Sequence, residues 1–230
     1  MIAITLDIDW APEAVIKDSL NLFEKYEVKC TLFATHYSPF IDQCNRNLFE
    51  VSIHPNFNDL IDGKAHTVSA SMILDELIRI YPEAKGVRSH SMTQSSKLLA
   101  LFKSKGLLYD SNQFIPYNFN MKPYKCWTGI KRIPYNWEDD IHFAYGKKFD
   151  FNFGLIYNED ENYIFDFHPV HIYLNTDCQG TYDKAKIYYH DVEGLKKCRN
   201  KGEQGVRNYL ENLLKFIVDK NIQTKLLSEI

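Results

Sequence analysis

The chain has 230 residues, 45% of them hydrophobic and 25% charged, and its formal net charge is −3. This composition is typical of a globular protein, and the length suits one domain with a full core over residues 1–230. The slight negative charge argues against a general nucleic-acid-binding protein, because such proteins carry a basic surface.

The cysteines and the amino terminus indicate a cellular location. The five cysteines are widely spaced and contain no CxxC pair, a pattern that favours reduced thiols over disulfides or a thiolate zinc site. The amino terminus lacks a signal-peptide pattern, and no apolar run approaches membrane-spanning length. We therefore expect a cytoplasmic protein without a membrane span.

The chain begins with an apolar run over residues 2–6 that predicts a buried parallel strand. Asp7 and Asp9 follow directly, and residues two apart on a strand share a face. Neighbouring carboxylates repel each other unless another charge offsets the repulsion, as a metal ion does. Solvated acids that end a strand are the alternative. Residues 12 to about 26 predict a helix with Pro12 in its first turn.

Predicted strands and helices then alternate along the chain. This alternation favours parallel strands joined by helices. From residue 111 to about 162 the pattern breaks into a segment rich in Tyr, Phe, Asn and Pro. This segment predicts short strands and loops in an irregular insertion, which forms a lid or an antiparallel patch over the site. The further predicted strands are 29–35, 48–53, 86–88, 107–109, 163–167 and 224–227, and the further predicted helices are 39–47, 69–81, 94–104 and 202–220.

Polar residues fall at the ends of successive predicted strands. Because the carboxyl ends of parallel strands lie on one side of a sheet or barrel, these side chains should gather at one rim. Any one of them alone is more simply a structural residue, but the repetition favours a shared site. The residues are Asp7, Asp9, His54, Arg88, His90, Asp110 and His168.

In order along residues 2 to about 171, these motifs resemble those of the NodB-type polysaccharide deacetylases, carbohydrate esterase family 4. The DWAPE and RSHS sequences most resemble the small WbmS-like branch, which is associated with surface-polysaccharide gene clusters. The matching segments are TLDID at 5–9, CTLFA at 30–34, EVSIH at 50–54, RSHS at 88–91, GLLYDS at 106–111 and FHP at 167–169.

The resemblance implies a distorted (β/α) barrel, with an open parallel α/β sheet as the alternative. It also implies a hydrolase that uses a divalent metal, zinc above all, to remove the acetyl group from an N-acetylated sugar. The expected substrate is a precursor of a surface polysaccharide or O-antigen. This function needs metal ligands, a general base and a general acid at the shared rim.

By the same resemblance, Asp9 and His54 are metal ligands. The family's second histidine, four residues after the first, is replaced here by Asn58. An amide oxygen is a weaker zinc ligand than an imidazole. Four alternatives follow: Asn58 is itself a ligand, His90 takes its place, the site holds metal with two protein ligands and more water, or the metal site is weakened or lost.

The resemblance also implies a set of catalytic roles. Asp7 is the expected general base, and Arg88 orients it and keeps it ionised. His168 is the expected general acid, with a pKa suited to protonating the leaving amine. Asp110 or Asp166 orients His168.

Other residues receive less specific interpretations. A backbone N–H within residues 89–91 would hold the oxyanion. His171 is a rival for the acid or has a structural role, and Asp139 and Asp140 form a solvated turn. The candidates for stacking on a sugar ring are Trp10, Tyr117 and Trp137.

Two other functions are consistent with parts of the pattern. A HAD-type phosphatase also begins with a strand and a DxD motif, but it leaves His54, Arg88 and His168 without a role. A catalytically inactive sugar-binding protein on the same fold is the second alternative, and Asn58 supports it.

Overall fold

The computed structural model describes residues 1–64, 66–202 and 204–230. Within them, one mixed sheet has nine strands in the order β6-β7-β5-β4-β3-β2-β1-β9-β8. All neighbouring pairs are parallel except β6 and β7. The strands are β1 Ile2–Asp7, β2 Cys30–Ala34, β3 Phe49–Ile53, β4 Gly86–Val87, β5 Tyr109–Asp110, β6 Tyr124–Lys125, β7 Lys131–Arg132, β8 Trp137–Glu138 and β9 Tyr163–Phe167.

Helices connect the strands, as the alternation predicts. The α-helices are α1 Glu13–Tyr26, α2 Pro39–Asp42, α3 Asn58–Ile61, α4 Ala70–Ile80, α5 Ser96–Ser104, α6 Asp139–Ala144, α7 Phe153–Ile156, α8 Pro169–Leu174, α9 Gln179–Ala185, α10 Val192–Cys198 and α11 Val206–Asp219. Short 3₁₀ helices span His90–Met92, Lys186–Tyr188 and Leu227–Glu229. None of the described helices is both long enough and apolar enough to cross a membrane.

The two ends of the sheet lie close together because one short segment joins them. β7 pairs with β5 near one end of the strand order, and β8 pairs with β9 at the other end. Only residues 133–136 separate β7 from β8. The five Cα steps from Arg132 to Trp137 span at most about 17 Å. The sheet is therefore curled into a half-barrel, as expected from the predicted distorted barrel, and is not an open, flat sheet.

Strand β1 shows how the curled sheet buries both of its faces. Ile2, Ile4 and Leu6 point outward into the core shared with helices α1, α8 and α11. Ala3 points inward, into a smaller apolar cluster inside the half-barrel. Because side chains alternate along a strand, Thr5 and Asp7 follow Ala3 on the inner face. Asp7 therefore stands at the carboxyl end of the strand, above an apolar interior.

The last residues close the opposite end of the half-barrel. Thr224 makes only an isolated bridge to Ile2, so the predicted strand over 224–227 is wrong. The segment instead turns into the 3₁₀ helix, where the backbone N–H of Leu227 donates to Thr31 Oγ1 at 3.0 Å and that of Ser228 donates to Glu50 Oε2 at 3.0 Å. These bonds replace the strand ladder and insert the Leu227 side chain into the interior.

The predicted irregular insertion contributes directly to the sheet. Its residues, 111 to about 162, contain β6, β7 and β8 together with α6 and α7. The sequence predicts short strands here but does not locate them, because each has two residues, too few for a periodic pattern.

We expect Leu227→Ala to destabilise the fold, because the side chain is fully buried inside the half-barrel. Truncation of a buried leucine costs about 2–5 kcal/mol. Leu155, which is 89% exposed, provides the matched control, and Leu155→Ala should change stability by less than about 0.5 kcal/mol. Urea unfolding of both variants measures the difference, and equal values would contradict the interior position of Leu227.

Candidate active site

The predicted rim residues lie at the carboxyl ends of strands from both halves of the sheet. Asp7 ends β1 and Asp9 follows it, His54 follows β3, and His168 follows β9. Together with Arg88 and other side chains, they line a cavity of about 150 Å³. These side chains lie together because the curled sheet brings the distant strand ends to one place.

Three side chains of this cavity converge on one point. Asp9 Oδ1 lies 3.2 Å from His54 Nε2 and 3.0 Å from His90 Nδ1, and the two imidazole nitrogens are 3.3 Å apart. A tetrahedral zinc ion with bonds of about 2.0–2.1 Å separates its ligand atoms by about 3.3–3.4 Å. Asp9, His54 and His90 therefore fit a divalent metal in number, chemistry and spacing. We refer to them as the metal triad.

Asn58 does not join the metal triad. Its side-chain amide donates to Ser91 Oγ at 3.2 Å, at the start of the short helix α3. His90 is brought to Asp9 by the turn after β4, in which Ser91 and Met92 both adopt left-handed backbone conformations. The geometry thus favours His90 over Asn58 as the third metal ligand.

The backbone at Asp9 is itself constrained. Asp9 and Trp10 have φ values of 45° and 56°, a region that non-glycine residues rarely adopt. Two contacts hold this turn: Tyr189 Oη donates to the Asp9 carbonyl at 2.6 Å, and the Trp10 N–H donates to Thr35 Oγ1 at 3.0 Å. The turn directs the Asp9 carboxylate toward the two histidines.

The electrostatics of Asp9 favour its ionised form. Burial disfavours the carboxylate, but hydrogen bonds from His54 and His90 more than offset this and hold the pKa of Asp9 well below its usual range. Burial likewise disfavours the His54 imidazolium, yet Asp7 and Asp9 raise the pKa of His54 above its ordinary value. The raised pKa of His54 reflects the negative potential of the two carboxylates, which favours a cation beside them.

Arg88 occupies the middle of the half-barrel, and only 1% of it is exposed. Its Nη1 donates to Asp7 Oδ1 and Thr5 Oγ1, each at 2.9 Å, and also to Asp166. Its Nε and Nη2 donate to the carbonyl and the hydroxyl of Ser111. Burial disfavours the guanidinium, but Asp166 and Asp7 offset this and raise the pKa of Arg88 above its usual range.

The Arg88 contacts leave one oxygen of Asp7 unbound by the arginine. Asp7 Oδ1 accepts from Arg88, whereas Oδ2 lies 3.6 Å from His54 Nδ1. This distance is too long for a good hydrogen bond. Asp7 is therefore held in place through Oδ1, while its Oδ2 lies beside the metal triad. An oxygen in this position is suited to accept a proton.

Asp139 orients His168, and this partner was not identified from the sequence. Asp139 Oδ1 lies 2.7 Å from His168 Nδ1, and its Oδ2 accepts from the His168 backbone N–H at 2.8 Å. Asp139 is fully buried, so its interpretation as part of a solvated turn is wrong. Burial disfavours the His168 imidazolium, but the negative charge of Asp139 offsets this and raises the pKa of His168 well above its ordinary value.

The two predicted partners of His168 lie elsewhere, which corrects that assignment. Asp110 accepts hydrogen bonds from Arg132 Nε at 2.9 Å and Nη2 at 3.1 Å. Asp166 points into the half-barrel, where it accepts from Arg88 and, at 2.5 Å, from Thr5 Oγ1. Asp166 lies in β9 and His168 follows the strand two residues later, so both side chains are on the same face. The Asp166 side chain lies deeper in the half-barrel than that of His168.

His171 lies behind His168, outside the residues that line the cavity. Its Nδ1 is 3.1 Å from Thr176 Oγ1, and its ring packs edge-on against Tyr182. Burial, assisted by the charge of His168, lowers the pKa of His171 well below its ordinary value. A neutral, buried imidazole suits a structural role better than that of a general acid.

Of the three predicted aromatic platforms, Trp10 is the one that is free at the rim. It is 37% exposed and packs edge-on against His90, with ring centroids 5.1 Å apart. Trp137 is 3% exposed and stacked on Tyr209, so it belongs to the core. Tyr117 Oη is 3.1 Å from His142 Nδ1, on the outer side of β8, away from the described cavity.

Comparisons with known proteins bear on this geometry. The sequence profile of the WbmS-like polysaccharide deacetylases matches residues 4–186. A crystal structure from Bordetella bronchiseptica is described as that of a polysaccharide deacetylase involved in O-antigen biosynthesis. Its alignment with this chain covers 94% of this chain and 90% of the Bordetella chain, with 37% identity and a TM-score of 0.87. No curated protein sequence matches the chain.

More distant structures share the fold alone. A 4-α-glucanotransferase from Thermococcus litoralis has 13% identity and a TM-score of 0.55, over 99% of this chain and 37% of its own. A CE4 family pseudoenzyme from Bacillus anthracis has 13% identity and a TM-score of 0.51, over 100% of this chain and 64% of its own.

The profile match covers most of the chain, and the Bordetella structure is similar over nearly its full length. Both agree with the motifs and with the half-barrel, and they give no support to the phosphatase alternative. This chain therefore belongs to the WbmS-like family of polysaccharide deacetylases, a family of hydrolases.

Proposed function

We propose that this protein is a metal-dependent N-deacetylase that acts on an N-acetylated sugar during the synthesis of a surface polysaccharide. The observation that carries this proposal is the position of Asp9. One of its oxygens faces His54 and His90, and the other lies 3.8 Å from His168 Nε2. Metal ligands and a candidate acid thus share one small cavity with Asp7.

The metal triad would hold the ion. Two imidazole nitrogens and one carboxylate oxygen form a ligand set that suits zinc, with at least one position left for substrate or water. A bound divalent ion polarises a carbonyl and lowers the pKa of water, which is the chemistry that amide hydrolysis needs.

Asp7 serves as the general base. Arg88 holds its Oδ1 at 2.9 Å, which leaves Oδ2 to accept the proton of the water that attacks the acetyl carbonyl. Because Arg88 is itself buried and held by five hydrogen bonds, it fixes the orientation of this carboxylate. An arginine that held both oxygens would block this role.

His168 serves as the general acid. Asp139 occupies its Nδ1, so the proton available for transfer is on Nε2, which faces the cavity and Asp9. The raised pKa keeps this proton in place near neutral pH. When the carbon–nitrogen bond breaks, Nε2 donates its proton to the leaving nitrogen, which departs as an amine.

A backbone N–H is available for the developing oxyanion. The N–H groups of Ser89, His90 and Met92 donate to Asn112 Oδ1, the Pro55 carbonyl and the Ser89 carbonyl, respectively. No described residue accepts from the N–H of Ser91, which also lines the cavity. Ser91 is therefore the residue of the 89–91 segment that we assign to this role.

The substrate class rests on the family and on the Bordetella relative, whose description names O-antigen biosynthesis. Trp10 offers an exposed ring at the rim for contact with a sugar. The cysteines are all free thiols, in keeping with a reducing compartment. We therefore propose that the enzyme acts in the cytoplasm on a nucleotide-linked or lipid-linked precursor.

The metal triad predicts which variants lose the ion. After zinc loading and dialysis, the wild type should retain about one ion per chain, and His90→Ala should lose most of it, because a single lost ligand of three weakens such sites strongly. Asn58→Ala should retain zinc, since Asn58 contacts Ser91 instead. Elemental mass spectrometry measures all three. Retention by His90→Ala together with loss in Asn58→Ala would overturn this ligand set.

Asp7→Asn tests the general base. We expect acetate release from N-acetylglucosamine oligosaccharides or UDP-N-acetylglucosamine to fall by about 10²- to 10⁴-fold, while zinc content stays at the wild-type level. Near-normal turnover would remove Asp7 as the base. Absence of acetate release from the zinc-loaded wild type on these and related N-acetylated sugars would instead favour the inactive sugar-binding alternative.

Asp139→Asn tests the orientation of His168. His168 loses its proton as pH rises through its pKa, so activity should fall on the alkaline side. Without the Asp139 charge this pKa is lower, and the alkaline limb of kcat/KM should move by about 1 pH unit or more toward lower pH. Asp110→Asn is the control, since Asp110 pairs with Arg132. A shift in the control variant alone would restore the sequence-based assignment.

A further inference from the structure

One carboxylate of the cavity receives no hydrogen bond from the described residues. Asp7 pairs with Arg88, Asp9 lies between His54 and His90, Asp139 binds His168, and Glu138 accepts from Tyr135 Oη at 3.1 Å. In the described chain no donor reaches the carboxylate of Asp140, whose backbone N–H donates to Asp139 Oδ1. Asp140 therefore brings a carboxylate without a hydrogen-bond donor to the cavity.

The surroundings of Asp140 make the missing hydrogen bond costly. Its Oδ1 is shielded from solvent and receives no hydrogen bond, and buried polar atoms are seldom left without a partner. The side chain is half-buried and lines the cavity together with Glu138 and Ile141. An arrangement that costs free energy in the free protein is explained if a donor from the substrate or the product completes it.

The position of Asp140 indicates which group of the substrate it meets. Ligand atoms of Asp140, Glu138 and His168 all lie within 4.8 Å of one another. Asp140 enters from α6, after β8, whereas the metal triad comes from the loops after β1, β3 and β4. Asp140 is thus on the His168 side of the cavity, where the leaving nitrogen receives its proton.

We propose that Asp140 binds the ammonium group of the deacetylated sugar. This inference rests on the proposed function, because that sugar is the product of the deacetylation. Hydrolysis breaks the carbon–nitrogen bond, and the nitrogen takes one proton from His168 to become an amine. The amine takes a second proton from the acetic acid formed beside it, which leaves acetate and an ammonium ion. The Asp140 carboxylate then pairs with that cation, which favours cleavage over the reverse reaction.

This role gives Asp140 a preference between two simple sugars. Glucosamine carries an ammonium group at about pH 7, whereas N-acetylglucosamine is neutral at the same position. A carboxylate at hydrogen-bond distance discriminates in favour of the cation, by about tenfold for a partly exposed pair. The neutral sugar gains no comparable charge interaction.

The test is an NMR titration of the zinc-loaded, ¹⁵N-labelled protein with glucosamine and with N-acetylglucosamine. The wild type should bind glucosamine more tightly. Asp140→Asn should weaken glucosamine binding about tenfold and change N-acetylglucosamine binding by less than about twofold. Asp183→Asn, which removes the same charge from an exposed position of α9, should leave both affinities unchanged. Zinc content is measured in each variant, so that loss of the ion is not mistaken for loss of Asp140.

A second measurement uses the unaltered chain and does not depend on the folding of a variant. Added salt screens charge pairs, so potassium chloride should weaken the binding of glucosamine and not that of N-acetylglucosamine. The proposal is overturned if the wild type shows no preference for glucosamine, if salt leaves that preference intact, or if Asp140→Asn affects both sugars equally or neither.

The same data separate this proposal from the proposed function. Acetate release by the wild type without a preference for glucosamine would overturn the role of Asp140 alone. A preference for glucosamine that depends on Asp140, combined with no acetate release from N-acetylated sugars, would overturn the deacetylase function and with it the assignment of the ammonium group to a reaction product.

Discussion

The buried guanidinium of Arg88 is the interaction on which the rest of the structure depends. It joins β1 through Asp7 and Thr5, β9 through Asp166, and the segment after β5 through Ser111. A buried cation is tolerated only when charge and hydrogen bonds surround it. The need to satisfy Arg88 therefore holds the curled strands together and, by the same bonds, fixes the position of the proposed base.

The aromatic rings around Arg88 extend this constraint down the interior. Its guanidinium lies 4.4 Å from the centroid of the Phe33 ring and 4.2 Å from that of Tyr135. Both rings belong to the inner cluster that Leu227 closes from the opposite end. Since protein interiors are closely packed, Leu227 and the proposed active site are connected through these rings. The contacts inside the half-barrel are apolar at the Leu227 end and charged at the Arg88 end.

Much of this arrangement follows from the sequence because most site residues end strands that show clear patterns. Asp7 ends a six-residue buried strand, and His54 and His168 each follow a five-residue one. The rim follows from the parallel order of these strands. Asp139 was missed because it follows β8, a strand of two residues, which leaves no periodicity to detect. The choice between Asn58 and His90 also required coordinates, since it depends on the left-handed turn at Ser91 and Met92.

The short strand β8 explains why one segment supplies unlike carboxylates. Glu138 ends the strand and accepts from Tyr135, Asp139 begins α6 and turns to His168, and Asp140 follows it and lines the cavity. The first and third of these consecutive acids therefore both reach the cavity, whereas the middle one lies against the His168 ring and backbone. The junction between strand and helix thus separates the carboxylate that orients the proposed acid from the one that remains open to a ligand.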